Sequence, residues 1–318
     1  MLKAGHRLRV IARLIEAETG AHLWASQYDG GLDEIFDFQD RIVDHVVGIA
    51  EPNLQSSEIQ RSRRKRVENL DAYDLYLRAL PHVAAQMPHQ AKIALPLLNQ
   101  ALKLDPDYAA AHALIAWCYE LCFARAGLVV ADRDAGLEHA RAAISSDTDD
   151  AATLAVAGFA MTWLNERDEG PRAMDRALAL NPSCARALYL GAQGYAAATN
   201  YQTAAYCAGR ALQLSPFDPL AFQALLGLGS AALQEERLDD AVACNARALR
   251  ANPNFSTPHI VLAIAQVLAG REDEARRAAR RGMELEPGFR VRVFYEFGLE
   301  GDLLKKMVEG SRMLGFPA

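Results

Sequence analysis

The sequence predicts a mainly α protein: a helical solenoid of about six stacked hairpins with a closing helix, preceded by a small, incomplete α/β segment. Three observations carry this reading. First, a six-residue phrase recurs as ALKLDP (Ala101–Pro106), AISSDT (Ala143–Thr148), ALALNP (Ala177–Pro182), ALQLSP (Ala211–Pro216), ALRANP (Ala248–Pro253) and GMELEP (Gly282–Pro287), its last residues 42, 34, 34, 37 and 34 positions apart. A fixed period of this length marks helical hairpins that cannot bury their apolar faces alone and must stack. Second, small residues hold fixed places: Ala101, Ala143, Ala177, Ala211, Ala248 and Gly282 stand five positions before each phrase end, and Ala94, Gly136, Gly170, Ala204, Ala241 and Ala275 twelve before it. Third, residues 7–15 alternate in polarity with period two, which no helix does.

The elements follow in order. Leu8, Val10, Ala12 and Leu14 share one face of a half-buried strand, Glu18-Thr19-Gly20 supplies a turn, and Ala21–Tyr28 forms a second strand. Asp33 opens an amphipathic helix that carries Ile35, Phe36, Ile42, Val43, Val46 and Val47 and ends near Pro52. Two strands are marginal in water, so residues 1–30 are expected to dock on the solenoid, to pair with another copy of the chain or to exchange their amide hydrogens quickly. The segment 1–56 is thus one unit, the basic stretch 57–69 a linker, and 70–318 the solenoid. Helix pairs are predicted near 70–86 and 89–103, 108–122 and 132–145, 149–164 and 168–180, 183–198 and 201–214, 217–233 and 236–250, and 254–269 and 271–285. Leu102, Ile144, Leu178, Leu212, Leu249 and Met283 fill the space between hairpins. The terminal proline of five copies stops each second helix. The long 42-residue spacing places its eight extra residues around Phe123–Asp132, and the 37-residue spacing lengthens the helix around Leu225–Gln234. Asp302–Met313 closes the array, since a terminal repeat must cover the last apolar face.

Composition bounds the function. The chain has 318 residues, is 51% hydrophobic and carries a net charge of −6 with no large basic domain, so no nucleic-acid partner is expected. Five scattered cysteines fit a reducing compartment, and the absence of a long apolar stretch fits a cytoplasmic protein without a membrane partner. No phosphate loop is present, and Gly227-Leu-Gly229 lacks the third glycine and preceding strand of a dinucleotide site, so those glycines are assigned to packing. Cys118 and Cys122 lie one helical turn apart without a second ligand pair, and Cys207 and Cys244 occupy equivalent repeat positions; packing accounts for both. His112 and His259 lie on first helices with no nucleophile in a catalytic arrangement, Asp239 and Asp240 suit a helix start, and the run Arg61–Arg66 suits a solvated linker or helix. No catalytic residue, cofactor or metal site is therefore predicted.

The repeated phrase, with its period and small positions over about residues 70–287, resembles the tetratricopeptide family. In that family the first helix of each repeat lines a concave groove. The resemblance assigns Trp117, Glu120, Phe159, Trp163, Arg186, Tyr189, Gln193 and Gln223 to this groove by register, where each either meets a ligand or fills space between helices. The family's lysine/asparagine clamp for chaperone tails is absent, its positions holding Ala113, Trp117, Ala155, Phe159, Tyr189 and Gln193. A second resemblance lies in KAGHRLRVIARLIEAETGAHLWASQYDGGLDEIFDFQDRIV and ENLDAYDLYLRAL (Glu68–Leu80), which look like the end of a TolB-like domain and its junction into tetratricopeptide repeats. Such regions occur in bacterial class III adenylate cyclases and winged-helix regulators, with the output domain further upstream. The resemblance implies a non-catalytic module that holds a protein or peptide in a regulatory or sensory role. The alternative it implies is the carboxyl-terminal portion of a cyclase or transcription regulator whose output domain lies elsewhere.

Overall fold

The computed structural model describes residues 2–4, 7–15, 20, 22–31, 42, 46, 53–146, 148–215 and 218–318. Among these residues, twelve helices pair into six hairpins: α2 (Ala72–Ala84) with α3 (Pro88–Leu104), α4 (Ala109–Arg125) with α5 (Val130–Ser145), α6 (Ala151–Trp163) with α7 (Glu169–Leu180), α8 (Ala185–Ala197) with α9 (Tyr201–Leu214), α10 (Phe222–Gln234) with α11 (Leu238–Ala251), and α12 (Ser256–Leu268) with α13 (Glu272–Leu285). A short helix α14 (Val293–Glu296) and the closing helix α15 (Gly301–Met313) follow. Ahead of the hairpins, residues 53–64 form a helix, α1.

The twelve small positions are all buried, because these are the points where the two helices of a hairpin cross. At Gly170 a Cβ would sit 2.8 Å from the Thr162 nitrogen and 2.9 Å from the Gly158 oxygen, so only glycine lets these backbones meet. Gly227 plays the same part between hairpins: its Cβ would lie 2.6 Å from the Ala192 carbonyl carbon. Leu102, Ile144, Leu178, Leu212, Leu249 and Met283 are half-buried between hairpins, as expected.

Each first helix ends in a residue of left-handed conformation: Gln86, Leu128, Asn165, Thr199, Glu236 and Gly270. The turn is tied by bonds that span five residues back, such as Asn200 N to Tyr195 O at 2.8 Å and Arg271 N to Gln266 O at 2.8 Å. Only one of the six is glycine, so five repeats hold a side chain in a conformation that costs roughly 1–2 kcal/mol.

Two length expectations are corrected. The eight extra residues of the second hairpin form no loop; they lengthen both helices, α4 to 17 residues and α5 to 16. The three extra residues before the fifth phrase end do not lengthen α10, which has 13 residues like α6 and α8. They fall between the end of α9 and the start of α10, where Asp218 accepts from the Leu220 amide at 2.7 Å.

At the amino terminus the sheet has three strands in the order β1 (Leu2–Ala4), β2 (Arg7–Ile15), β3 (His22–Gly31), all antiparallel. Strand β1 escaped sequence analysis because three residues are too few to show alternation. Val10, Ala12 and Leu14 are half-buried while Arg9, Ile11 and Arg13 are exposed, which is the alternation expected. The helix expected from Asp33 to Pro52 lies mostly outside the described residues; Ile42 and Val46 are helical. The basic run 61–66 closes α1 against α2. Arg78 donates to the carbonyls of Ser62 at 2.6 Å and Lys65 at 2.9 Å, and Lys65 bonds Asp74 at 2.5 Å.

Two substitutions test this packing. Thr199→Gly, at an exposed β-branched residue in the left-handed region, should raise stability by about 1 kcal/mol. Gly227→Ala meets rigid backbone and should lower it by about 3 kcal/mol. Urea denaturation of both variants measures these shifts, and equal midpoints would refute the packing described.

Candidate binding site

The first helices face inward. α6 buries ten of its residues, from Ala151 to Met161, whereas α13 buries only Ala275, Ala279 and Gly282. A helix buried on all sides has neighbours both in its own hairpin and across the concave side. Side-chain contacts between repeats distant in sequence also cross the concave side. Gln223 Nε2 donates to Gln86 Oε1 at 3.1 Å, joining the fifth repeat to the first, and Gln193 bonds Gln223 in the same chain. The solenoid therefore curls around a narrow bore, and polar side chains cross it.

Arg125, at the end of α4, makes the second such crossing. It donates to Thr257 Oγ1 at 2.9 Å, lies 3.8 Å from Glu120 and 3.9 Å from Glu286, and stands 4.8 Å from the Phe255 ring centre. Glu286 in turn accepts from Ser256 Oγ at 2.5 Å. These groups are buried, and burial pushes the Glu120 carboxyl up to about 7 even though the Arg125 guanidinium pulls it down. Burial raises Glu286 as well.

The eight groove residues expected from the sequence all stand on these inner helices. An aromatic ladder runs from Trp117 to Phe159 (5.4 Å between ring centres), to Trp163 (6.1 Å) and on to Phe297 (5.0 Å). Trp117, Glu120, Phe159, Tyr189 and Gln223 are buried within the bore, with Tyr189 at 0% exposure. Trp163, Arg186 and Gln193 are half-buried. Arg186 donates to the Tyr189 hydroxyl at 3.3 Å, and burial raises that phenol well above its ordinary range.

The bore has two mouths. At one, parts of α1, α2 and α4, the beginning of α8 and residues 218–220 surround a cavity of about 430 Å³. Trp117, Arg186 and Asp218 reach it, with Ile59, Leu80 and Leu220 among its apolar walls. Burial raises the Asp218 carboxyl, opposed by Arg186. At the other mouth, the segment after α13 lies across the ends of the inner helices and leaves a cavity of about 70 Å³ touched by Arg125, Trp163, Gln193 and Phe297. Ile59, Asp218 and Arg125 line the bore or its mouths and were not expected from the sequence. The longer connector at 215–221 was the one signal that could have found Asp218.

The remaining candidates have packing roles. His259 and His112 occupy equivalent places and bond the preceding phrase prolines, His259 Nε2 to Pro253 O at 3.0 Å and His112 Nε2 to Pro106 O at 3.0 Å. The cysteines are free thiols, and burial pushes Cys122 and Cys207 up to about 11, away from reactive thiolate. Among the described residues no cluster of three metal-ligating side chains occurs, and no helix is long and apolar enough to cross a membrane.

No protein-family model matches the chain. It is similar to putative adenylate cyclase 3 of Rhizobium meliloti (strain 1021), with 29% identity over 173 residues, which cover 54% of this chain and 30% of that protein. The chain thus matches under a third of that relative's length. Among solved structures it resembles the APC/C hetero-tetramer Cut9–Hcn1 (TM-score 0.54, 14% identity, 83% of this chain and 47% of that one). It also resembles the IFIT1 monomeric mutant with Gppp-AAAA (TM-score 0.57, 14% identity, 89% and 65%). The fold is a tetratricopeptide-repeat solenoid.

The buried carboxyl gives a pH prediction. A carboxyl whose folded pKa lies above its unfolded value stabilises fully below about 4.5 and loses that contribution as pH rises through about 7. Wild-type stability should therefore fall relative to Glu120→Gln between pH 4.5 and 8, by up to ~3 kcal/mol. Parallel denaturation curves across this range would contradict the assignment.

Proposed function

We propose that the chain is a non-catalytic binding module that holds a protein or peptide segment at the open mouth of the bore, as the regulatory or sensory part of a bacterial signalling protein. One observation carries this reading. The bore is filled along most of its length, yet the cavity of about 430 Å³ at this mouth stays open between apolar walls and two charged groups, Arg186 and Asp218. A concave, mostly apolar pocket with a few convergent polar groups suits an anchoring side chain, with the charges fixing orientation. The solenoid itself supplies rigidity, so a bound segment need not order the site first.

A second reading is favoured by the similarity to a putative adenylate cyclase: the chain corresponds to the carboxyl-terminal part of a class III cyclase, and acts on a catalytic domain supplied elsewhere. Both readings predict that the purified chain with ATP and Mg²⁺ or Mn²⁺ makes no cyclic nucleotide. Turnover retained at constant specific activity through purification would overturn both.

Selection from a displayed peptide library tests the site. Selected peptides should bind at least tenfold more weakly to Ile59→Glu and to Arg186→Ala, while circular dichroism stays unchanged. Peptides indifferent to both substitutions would place binding elsewhere.

A further inference from the structure

The second mouth carries its own recognition geometry. Trp163 at the end of α6, with Asn165 and Arg167 of the turn that follows, meets Phe297, Gly298 and Glu300 of the carboxyl-terminal segment. Trp163 packs edge-to-face on Phe297, with ring centres 5.0 Å apart. Asn165 Oδ1 accepts from Arg167 Nε at 3.1 Å and so orients the guanidinium. Arg167 Nη2 then donates to the Gly298 carbonyl at 2.7 Å, and Arg167 pairs with Glu300. Gly298 is left-handed, with φ +66°, and a Cβ there would lie 2.3 Å from Asn165 Oδ1. The turn thus reads an aromatic ring, a glycine, a backbone carbonyl and a carboxylate in a fixed order.

The same segment is held in a manner suited to exchange. Its tie to the α6–α7 turn is exposed, the Arg167 and Glu300 side chains being 49% and 66% accessible, while Lys306 on α15, which pairs with Glu236, is 17% accessible. An exposed pair such as Arg167 with Glu300 holds weakly. The fit beneath is incomplete, since a cavity of about 70 Å³ remains. Trp163 Nε1 is covered there without a hydrogen-bond partner among the described residues, and Ser311 Oγ on α15 likewise. A covered donor without an acceptor opposes the docking that covers it. Residues 289–317 are also tied to one another. Val291 N bonds Pro317 O at 2.8 Å, Phe289 packs on Phe294 and Phe316, and their apolar cluster, shared with Ile260, Val261 and Ile264 of α12, is distinct from the main one.

We propose that Trp163, Asn165 and Arg167 form a recognition site for a segment of the pattern aromatic–glycine–apolar–acidic, and that residues 297–300 of this chain fill it as an intramolecular stand-in which a partner segment of the same chemistry displaces. The proposal rests on the reading of the bore as a binding surface, but it concerns the covered mouth. Its variants therefore leave Ile59 and Arg186 untouched, and failure here does not reach the open mouth.

The probe is a synthetic peptide of residues 293–300, VFYEFGLE, added to the full chain. Phe297→Ala, which weakens the internal occupant, should bind the labelled peptide at least tenfold more tightly than the unaltered chain. Peptides with alanine in place of Gly298, or lysine in place of Glu300, should lose at least tenfold, and Arg167→Ala in the Phe297→Ala background should abolish binding. Hydrogen exchange of the unaltered chain gives an independent reading. Amides of residues 293–316 should exchange faster than those of α12, and faster still with saturating peptide. Absence of peptide binding to Phe297→Ala overturns the proposal. So does exchange of 293–316 no faster than α12, which would make the segment a permanent part of the core.

Discussion

Close backbone approach at small residues is the constraint on which the rest of this molecule depends. Within hairpins, alanine and glycine at the two fixed positions set the distance between helices; between hairpins, Gly227 against Ala192 shows the same requirement. With these distances fixed, the only freedom left is the small rotation from one repeat to the next, and repetition turns that rotation into curvature. Six hairpins suffice to bring the first repeat against the fifth through Gln86 and Gln223, and the second against the sixth through Arg125 and Thr257. The bore, its contents and its two mouths all follow from this curvature.

The contents of the bore matter for how a binding surface is read. In an open solenoid, aromatic and glutamine side chains on inner helices face solvent and a ligand. Here Trp117, Phe159 and Trp163 pack on one another, and Gln193, Gln223 and Gln86 complete one another's hydrogen bonds. Burying Arg125 between two carboxylates is costly unless the charges compensate, and the raised Glu120 carboxyl shows that compensation is partial.

The hairpins were legible in the sequence because each depends on local signals: the phrase, the small positions and the helix-stopping prolines. Observed helix ends fall within a few residues of expectation for this reason. The eight residues assigned to the groove by register stand on the inner helices. Their exposure was not legible, because it depends on contacts between residues such as Gln86 and Gln223, which no local pattern encodes. Length excess was read from spacing but misplaced in form. Eight residues extended the α4–α5 hairpin by regular turns, and three went into the connector holding Asp218, since helix length and loop length change the period alike. The strand β1, the short helix α14 and the docking of Phe297 on Trp163 left no periodic trace.

The central claim is that the middle of the bore is filled by its own side chains. Hydroxyl-radical footprinting read by mass spectrometry tests it most directly, because oxidation reports the solvent exposure of individual rings. Trp117, Phe159 and Tyr189, which are 0–4% exposed, should oxidise far more slowly than Tyr206 and Tyr295, which are 66% and 55% exposed. Oxidation of Trp117 and Tyr189 at the rate of Tyr206, in a chain that retains its helical circular dichroism, would mean an open groove and would contradict the account.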